Sequence, residues 1–358
     1  MKERLEIRRT YYRETSFAYI MKASCLITLM LMAVAYGTSS CTHAQPPSVT
    51  PPAVNQQQAE DALLKAVKKR NAQGILEAIQ QGANPNGILH GYTTTPAETL
   101  LLQDIDSMSE VRAQADCLRV LLHHGANPQF RGDEITLMHQ AESISWDMSR
   151  AYALLTLAQY GNSALSPETA AWLLEFGAYY GYPDFVDVAL RHGADPNRMA
   201  IDYFVKEGES VLFRAVSGFE CHYDGDRCAT AARLLQAPNA NPDIRNSGNG
   251  LTPLQSECGV EEMEVLLRFG ANPNIKDAQG NTVLHRMFKQ GLHVHRGLAY
   301  IELLARYGFE FSATDANGRT VLDLCQQHYQ ADQANPNLAT DVKEQGAKVV
   351  EKLRGLTD

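Results

Sequence analysis

The sequence predicts an all-α chain, built as a stack of short helix-turn-helix units with hairpin-like turns between them. Three observations carry that prediction. A five-residue phrase recurs: Gly82-Ala-Asn-Pro-Asn86, Gly125-Ala-Asn-Pro-Gln129, Gly193-Ala-Asp-Pro-Asn197, Asn239-Ala-Asn-Pro-Asp243 and Gly270-Ala-Asn-Pro-Asn274. Before each copy, apolar residues fall at helical spacing, as in Cys117–His124 and Met263–Phe269. After each copy comes a phrase led by a hydroxyl residue, the usual opening of a helix.

Taken in order, residues 1–40 are expected to be an N-terminal extension and signal peptide. Lys22 precedes an apolar run, Cys25 to Tyr36, and small residues Gly37-Thr-Ser-Ser40 follow. The run is too short to span a bilayer comfortably. Met21 competes with Met1 as the start of translation. Two processing readings stand side by side. Ser39-Ser40-Cys41 resembles a bacterial lipobox, in which Cys41 is lipidated, although Thr38 stands where leucine is usual; the other reading is cleavage after Thr42-His43-Ala44. Residues 41–58 are rich in proline and glutamine and are expected to form an extended tether. Either route places the body across the inner membrane of a bacterium, in the periplasm. A lipid on Cys41 would fix it to the outer membrane and would be its only membrane contact.

Residues 59–358 are expected to be the array. Weaker copies of the turn phrase start at Gly161 and Gly308, so successive copies lie 43, 36, 32, 46, 31 and 38 residues apart. The glycine of each is free to take the left-handed conformation that ends a helix. The Asn-Pro or Asp-Pro that follows forbids further helix and starts a turn. The second phrase reads Thr95-Pro96, Thr136-Leu-Met-His-Gln-Ala141, Ser210-Val-Leu-Phe-Arg-Ala215, Thr252-Pro-Leu-Gln255, Thr282-Val-Leu-His285 and Thr320-Val-Leu-Asp323. Its hydroxyl can cap a helix, and proline is tolerated in the first turn.

With both phrases in register, the chain resembles the ankyrin-repeat family, whose unit is about 33 residues, and in particular bacterial secreted and lipoprotein members. The resemblance covers roughly residues 59–356, about eight units. It implies a solenoid with 59–86 as an N-terminal cap and 315–356 as a C-terminal cap, the latter ending in an amphipathic helix around Val342–Leu353. It also implies that Leu100, Leu137, Leu212, Leu254, Leu284 and Leu322 are inner-helix core. Leu121, Leu122, Leu266, Leu267, Leu303 and Leu304 would be outer-helix core. His139 and His285 fall on the family's histidine position, where the ring orders the turn. The aromatics of Gly181-Tyr-Pro-Asp-Phe-Val186 would pack at the turn between two helices.

The departures from the pattern are informative. In the family the hydroxyl phrase lies about 22 residues before the glycine stop. Thr252 to Gly270 is only 18, a deletion of about one helical turn. Four units are longer: 25, 26, 29 and 30 residues from Thr136, Thr282, Ser210 and Thr95. The extra residues are expected between paired helices, near 106–110, 143–147, 221–228 and 291–296. Loops inserted at one point of each unit line up along one edge, so Trp146 and Tyr223 are partner-binding candidates there; length drift is the competing reading. The resemblance also implies binding through inner helices and turn tips. Exposed tip candidates are Phe130, Arg131, Arg198, Tyr203, Arg245, Asn246, Lys276, Asp277 and Arg319, with arginine and aromatics favoured as hot spots.

The array has five cysteines: 117, 221, 228, 258 and 325. Cys221 and Cys228 flank one inserted loop and are the first candidate disulfide, with Cys258 competing for either; Cys117 and Cys325 sit in apolar helical stretches and read as buried. His123-His124 and His293-Val-His295 lack a cysteine or carboxylate at ligand spacing. No nucleophile elbow, phosphate-cradling loop or His-Glu-x-x-His helix occurs, so no catalytic, metal or cofactor site is expected.

The chain carries a formal charge of −9, while its first 40 residues hold six Lys/Arg and three Asp/Glu. The body is therefore strongly acidic, which disfavours nucleic acid and anionic lipid and favours a basic protein partner. The expected function is non-enzymatic protein binding at the cell envelope, by a monomer. Narrower versions are an immunity protein that neutralises a toxin, or an accessory partner of a periplasmic enzyme. A catalytic or metal-binding protein is the distant alternative.

Overall fold

The computed structural model describes residues 56–89, 91–128, 137–144, 147–161, 163–200, 208–217, 225–256, 258–290 and 297–357. Cys41, Phe130, Arg131, Trp146, Tyr203, Cys221, Tyr223 and the His293-Val-His295 pair lie outside them. Among the described residues the chain is helical, with no strand and only two isolated bridges, Met199 to Ser210 and Thr314 to Thr320. This is the expected all-α class.

The helices come in successive pairs. They are α1 (Gln56–Lys68) and α2 (Ala72–Gln80), α3 (Pro96–Leu101) and α4 (Met108–His123), α5 (Leu137–Glu142) and α6 (Asp147–Tyr160), and α7 (Pro167–Tyr180) and α8 (Pro183–Arg191). Then come α9 (Val211–Val216) and α10 (Arg227–Gln236), a 3₁₀ turn (Pro253–Gln255) and α11 (Val260–Arg268), α12 (Val283–Lys289) and α13 (Gly297–Arg306), and α14 (Val321–Ala334) and α15 (Thr340–Thr357). α1 starts at Gln56, three residues inside the stretch expected to be tether. Alanine and leucine at helical spacing, with Ala59 and Leu63 fully buried, draw those glutamines into the helix.

The hydroxyl phrases open first members of the pairs. Thr95 accepts from the Glu98 amide while the Glu98 carboxylate accepts from the Thr95 amide, a reciprocal capping box. Thr320 and Asp323 repeat it at α14, and Ser210 caps α9 through the Phe213 amide. The short interval from Thr252 to Gly270 reduces a whole first-member helix to the 3₁₀ turn. Glycine ends the second members: Gly125 takes φ 92° and Gly270 takes φ 91°. Asn239 substitutes for glycine at φ 64°, a conformation asparagine tolerates better than most residues. Gly161 departs from the expectation. It is not left-handed; there a Cβ would stand 2.7 Å from the Leu157 carbonyl, so close approach is what requires glycine.

The pairs build two layers. First members pack on first members: α1 on α3, α3 on α5, α7 on α9, α9 on the 3₁₀ turn, that turn on α12, and α12 on α14. Second members run alongside, from α2 on α4 through α13 on α15. The apolar core lies between the layers. Leu118 and Leu121 of α4 and Leu154 and Leu157 of α6 are fully buried in it, each contributing about 1.5–3 kcal/mol. The core divides into two clusters, one reaching from α1 to Leu157 and the other from Met148 to Leu353, and Trp172 of α7 packs against both.

Leu100, Leu137, Leu212, Leu254 and Leu284 are buried as expected, but Leu322 is only partly buried. Among the described residues α14 packs on one first-layer neighbour, α12, so the side of the helix turned from α12 has no following helix to cover it. Val321 and Leu324 fill the core instead. The aromatics near Gly181 do pack: Phe185 lies 5.4 Å from Phe176 and 5.2 Å from Tyr152, ring centre to ring centre.

Candidate protein-binding surface

The turns between pairs form a row, and the recurrent phrase explains how. Within each phrase the third residue folds the turn locally: Asn84, Asp195, Asn241 and Asn272 each accept from the amide two residues on, at 2.9–3.0 Å. The fifth residue reaches the next phrase. The Asn86 amide donates to the Gly125 carbonyl at 2.8 Å and its oxygen accepts from the Asn127 amide at 2.7 Å. Asn197 makes the same two bonds to Asn239 and Asn241, and Asn274 makes them to Gly308 and Glu310. The phrase is thus a clip between neighbours as well as a helix stop.

Asp243 breaks this pattern. Its carboxylate accepts from the Asn272 amide at 2.9 and 3.2 Å, but it has no proton for the Gly270 carbonyl. Burial pushes its carboxyl above the ordinary aspartate value of 3.8, against the Asn272 bond and Arg245, which lower it. Asp243→Asn is expected to supply the missing donor and remove a half-buried charge, raising stability by about 1 kcal/mol near pH 7. A carboxyl whose folded value is raised costs stability as pH rises through that value. The gain, measured by urea unfolding, should therefore shrink toward pH 3.

Further along each turn a buried polar side chain anchors the tip. Asp277 accepts from the Gln279 and Asn281 amides and pairs with Arg286 at 3.2 Å. Asn246 occupies the same place and accepts from the Ser210 amide at 2.9 Å. Both were expected to be exposed, and both are buried. A tip must satisfy its backbone donors without regular structure; Asp277 does so within its own tip, while Asn246 satisfies the amide at the opening of α9 in the preceding pair.

The described partner-binding candidates are tied into the same framework. Arg198 pairs with Glu175 of α7 at 2.6 Å, where the carboxylate is fully buried. Arg245 donates to the Gly250 and Lys276 carbonyls, Lys276 donates to the Thr314 carbonyl at 2.8 Å, and Arg319 pairs with Asp315. Arg245 and Lys276 stay exposed while they bridge successive tips. Backbone bonds add to the bridge: Ser247 donates to Gly208 and Ala316 to Gln279.

Two side chains join the layers to the tips. His285 is fully buried, with Nδ1 2.7 Å from the Thr282 hydroxyl and Nε2 3.0 Å from the Arg319 carbonyl. Gln255 does the same work one pair earlier, donating to the Ile275 carbonyl at 2.9 Å. Sequence reasoning missed Gln255 and the clip asparagines. The recurrence of an amide as fifth residue of the phrase was the available signal.

Cys117, Cys228, Cys258 and Cys325 are free thiols, and burial pushes each up to about 12. Such thiols are poor nucleophiles at neutral pH. Among the described residues no three His, Cys, Asp or Glu side chains group to hold a metal ion, and no helix is long and apolar enough to cross a membrane. No protein-family model matches the chain, and no curated protein matches it either.

Proposed function

We propose that the chain is an ankyrin-type solenoid of about eight units that binds a protein partner without catalysis, at the envelope of a bacterium, as a monomer. The observation that carries this reading is the row of tied turns. Arg245, Lys276, Asn197 and Asn274 each bond to the next turn, so successive tips are held in fixed register. A surface ordered before binding loses little conformational entropy on binding. A row of turns held in register suits an extended protein surface.

The acidic charge acts on approach. The tip carboxylates Asp277 and Asp315 are buried and paired, whereas Glu77, Asp116, Asp184, Glu261 and Glu302 are exposed on second-layer helices. The net negative charge of the chain as a whole, −9, supplies the field that draws a basic partner. The test is capture from an envelope extract with the full chain as bait. One protein retained through salt washing and absent from a bait-free control supports the reading; retention of none overturns it. For the captured partner, the association rate is expected to fall several-fold between about 20 and 200 mM salt. A rate independent of salt removes the electrostatic part.

A further inference from the structure

One end of the first layer departs from the rest. Five large apolar side chains are exposed among the described residues, and two of them, Tyr92 at 40% and Leu102 at 63%, share one groove here. Tyr92 and Leu102 line an open groove of about 410 Å³ between the end of α1, the turn before α3 and the end of α3. That volume lies within the range of sites that seat a side chain or a small ligand. Exposing two large apolar groups side by side costs solubility, and apolar patches rimmed by polar residues mark interaction sites.

The charge around the groove selects the occupant. The last turn of α1 and the two residues after it carry Lys65, Lys68, Lys69 and Arg70. Arg70 is spent within the fold, on the Glu110 carboxylate at 3.3 Å and on the Asp104 carbonyl. Lys68 has no carboxylate partner among the described residues. Its ammonium stands 5.2 Å from the centre of the Tyr92 ring, at the groove itself. Asp104 is the single carboxylate of the lining. The groove therefore offers two apolar side chains, Tyr92 and Leu102, in a polar rim, with a cation that lacks a carboxylate partner over the aromatic ring, on a body that is otherwise acidic.

We infer that this groove is an anchoring subsite for an extended protein segment, taking a leucine- or phenylalanine-sized side chain with an adjacent carboxylate on Lys68. The inference rests on the binding reading above and assigns that surface one pocket with its own chemistry. The apolar side chain covers Leu102 and Tyr92, and the carboxylate completes the cation already held over the ring.

The test is selection of random heptapeptides on the full chain, followed by synthesis of the enriched sequence as a fluorescein-labelled peptide. The expected consensus places Leu or Phe beside Asp or Glu. Fluorescence anisotropy should show at least tenfold weaker binding to Leu102→Asp, severalfold weaker binding to Lys68→Glu, and near-unchanged binding to Lys68→Arg. These positions are exposed, so thermal unfolding should match the parent; Phe269→Asp, on another exposed apolar residue, controls for general surface effects. No enrichment, a consensus without the acidic-apolar pair, or binding untouched by Leu102→Asp overturns the inference. A captured envelope partner that binds Leu102→Asp as tightly as the parent removes the groove and leaves the binding reading standing. Capture of no partner removes that reading, while the peptide result judges the groove on its own.

Discussion

Asp315→Ala is expected to lower stability by about 2–3 kcal/mol, the largest loss from any single polar side chain of the tips. The Asp315 side chain is fully buried. One oxygen accepts from the Asn317 and Arg319 amides, at 2.9 and 3.0 Å. The other accepts from the Lys289 ammonium at 2.6 Å and from the Arg319 guanidinium at 3.0 and 3.2 Å. Alanine strands two backbone donors and the Arg319 guanidinium, and leaves Lys289 with the Asn281 oxygen as acceptor. The estimate sits below the range for a fully buried pair because Lys289 and Arg319 keep 29% and 39% of their side-chain exposure. The Lys289 bond, opposed by burial and helped by Arg319, holds the carboxyl well below the ordinary value of 3.8. A carboxyl lowered by folding stabilises fully above its unfolded value and loses that contribution as pH falls below it. The deficit of the variant should thus be full at pH 7 and shrink below about pH 3.8. Urea unfolding at both pH values measures it; an equal deficit at both would show that charge is not its source.

His285→Ala is expected to cost about 2–4 kcal/mol, through lost hydrogen bonds, a cavity and a stranded tip carbonyl. The ring spans α12 and the next turn, from the Thr282 hydroxyl to the Arg319 carbonyl. Burial lowers its pKa from the ordinary 6.5, although the Arg319 carbonyl and Asp315 pull it up; Lys289 and Lys276 push it down. The sign follows from linkage. The unfolded chain takes the proton first, so the contribution of His285 is whole above about pH 6.5 and declines as pH drops toward the lowered folded value. The parent should lose stability between pH 7 and 5 by an increment that His285→Gln lacks. Because His285 and Asp315 share Arg319, the double variant should lose less than the two losses added, with a coupling of about 0.5–3 kcal/mol.

Much of this is legible in the amino-acid sequence. The helical class, the glycine stops and the hydroxyl caps follow from local chemistry: φ greater than zero suits glycine, and a serine or threonine oxygen reaches a free amide three residues on. The deletion after Thr252 was readable as arithmetic, and a helix too short for an α turn became a 3₁₀ turn. The burial of Leu100, Leu137 and Leu284 was an expectation from the family resemblance rather than from local chemistry, and all three are buried.

The tips were not legible in the same way. Asn246, Asp277 and Asp315 look like ordinary polar turn residues, and Arg245, Lys276 and Arg319 look like free cations. The roles of Asn246, Asp315, Arg245 and Lys276 depend on groups 26–38 residues away, as in the Lys289 bond to Asp315 and the Lys276 bond to Thr314. Asp277 and Arg319 find their partners within nine residues but are held buried or paired only once the tip is folded. Local sequence determined where helices start and stop, because capping and backbone dihedrals act within four residues. Only the tertiary structure decided which charges are spent inside the fold and which, like Lys68 beside Tyr92 and Leu102, face outward, because burial and pairing depend on neighbours that the chain brings together only when it packs.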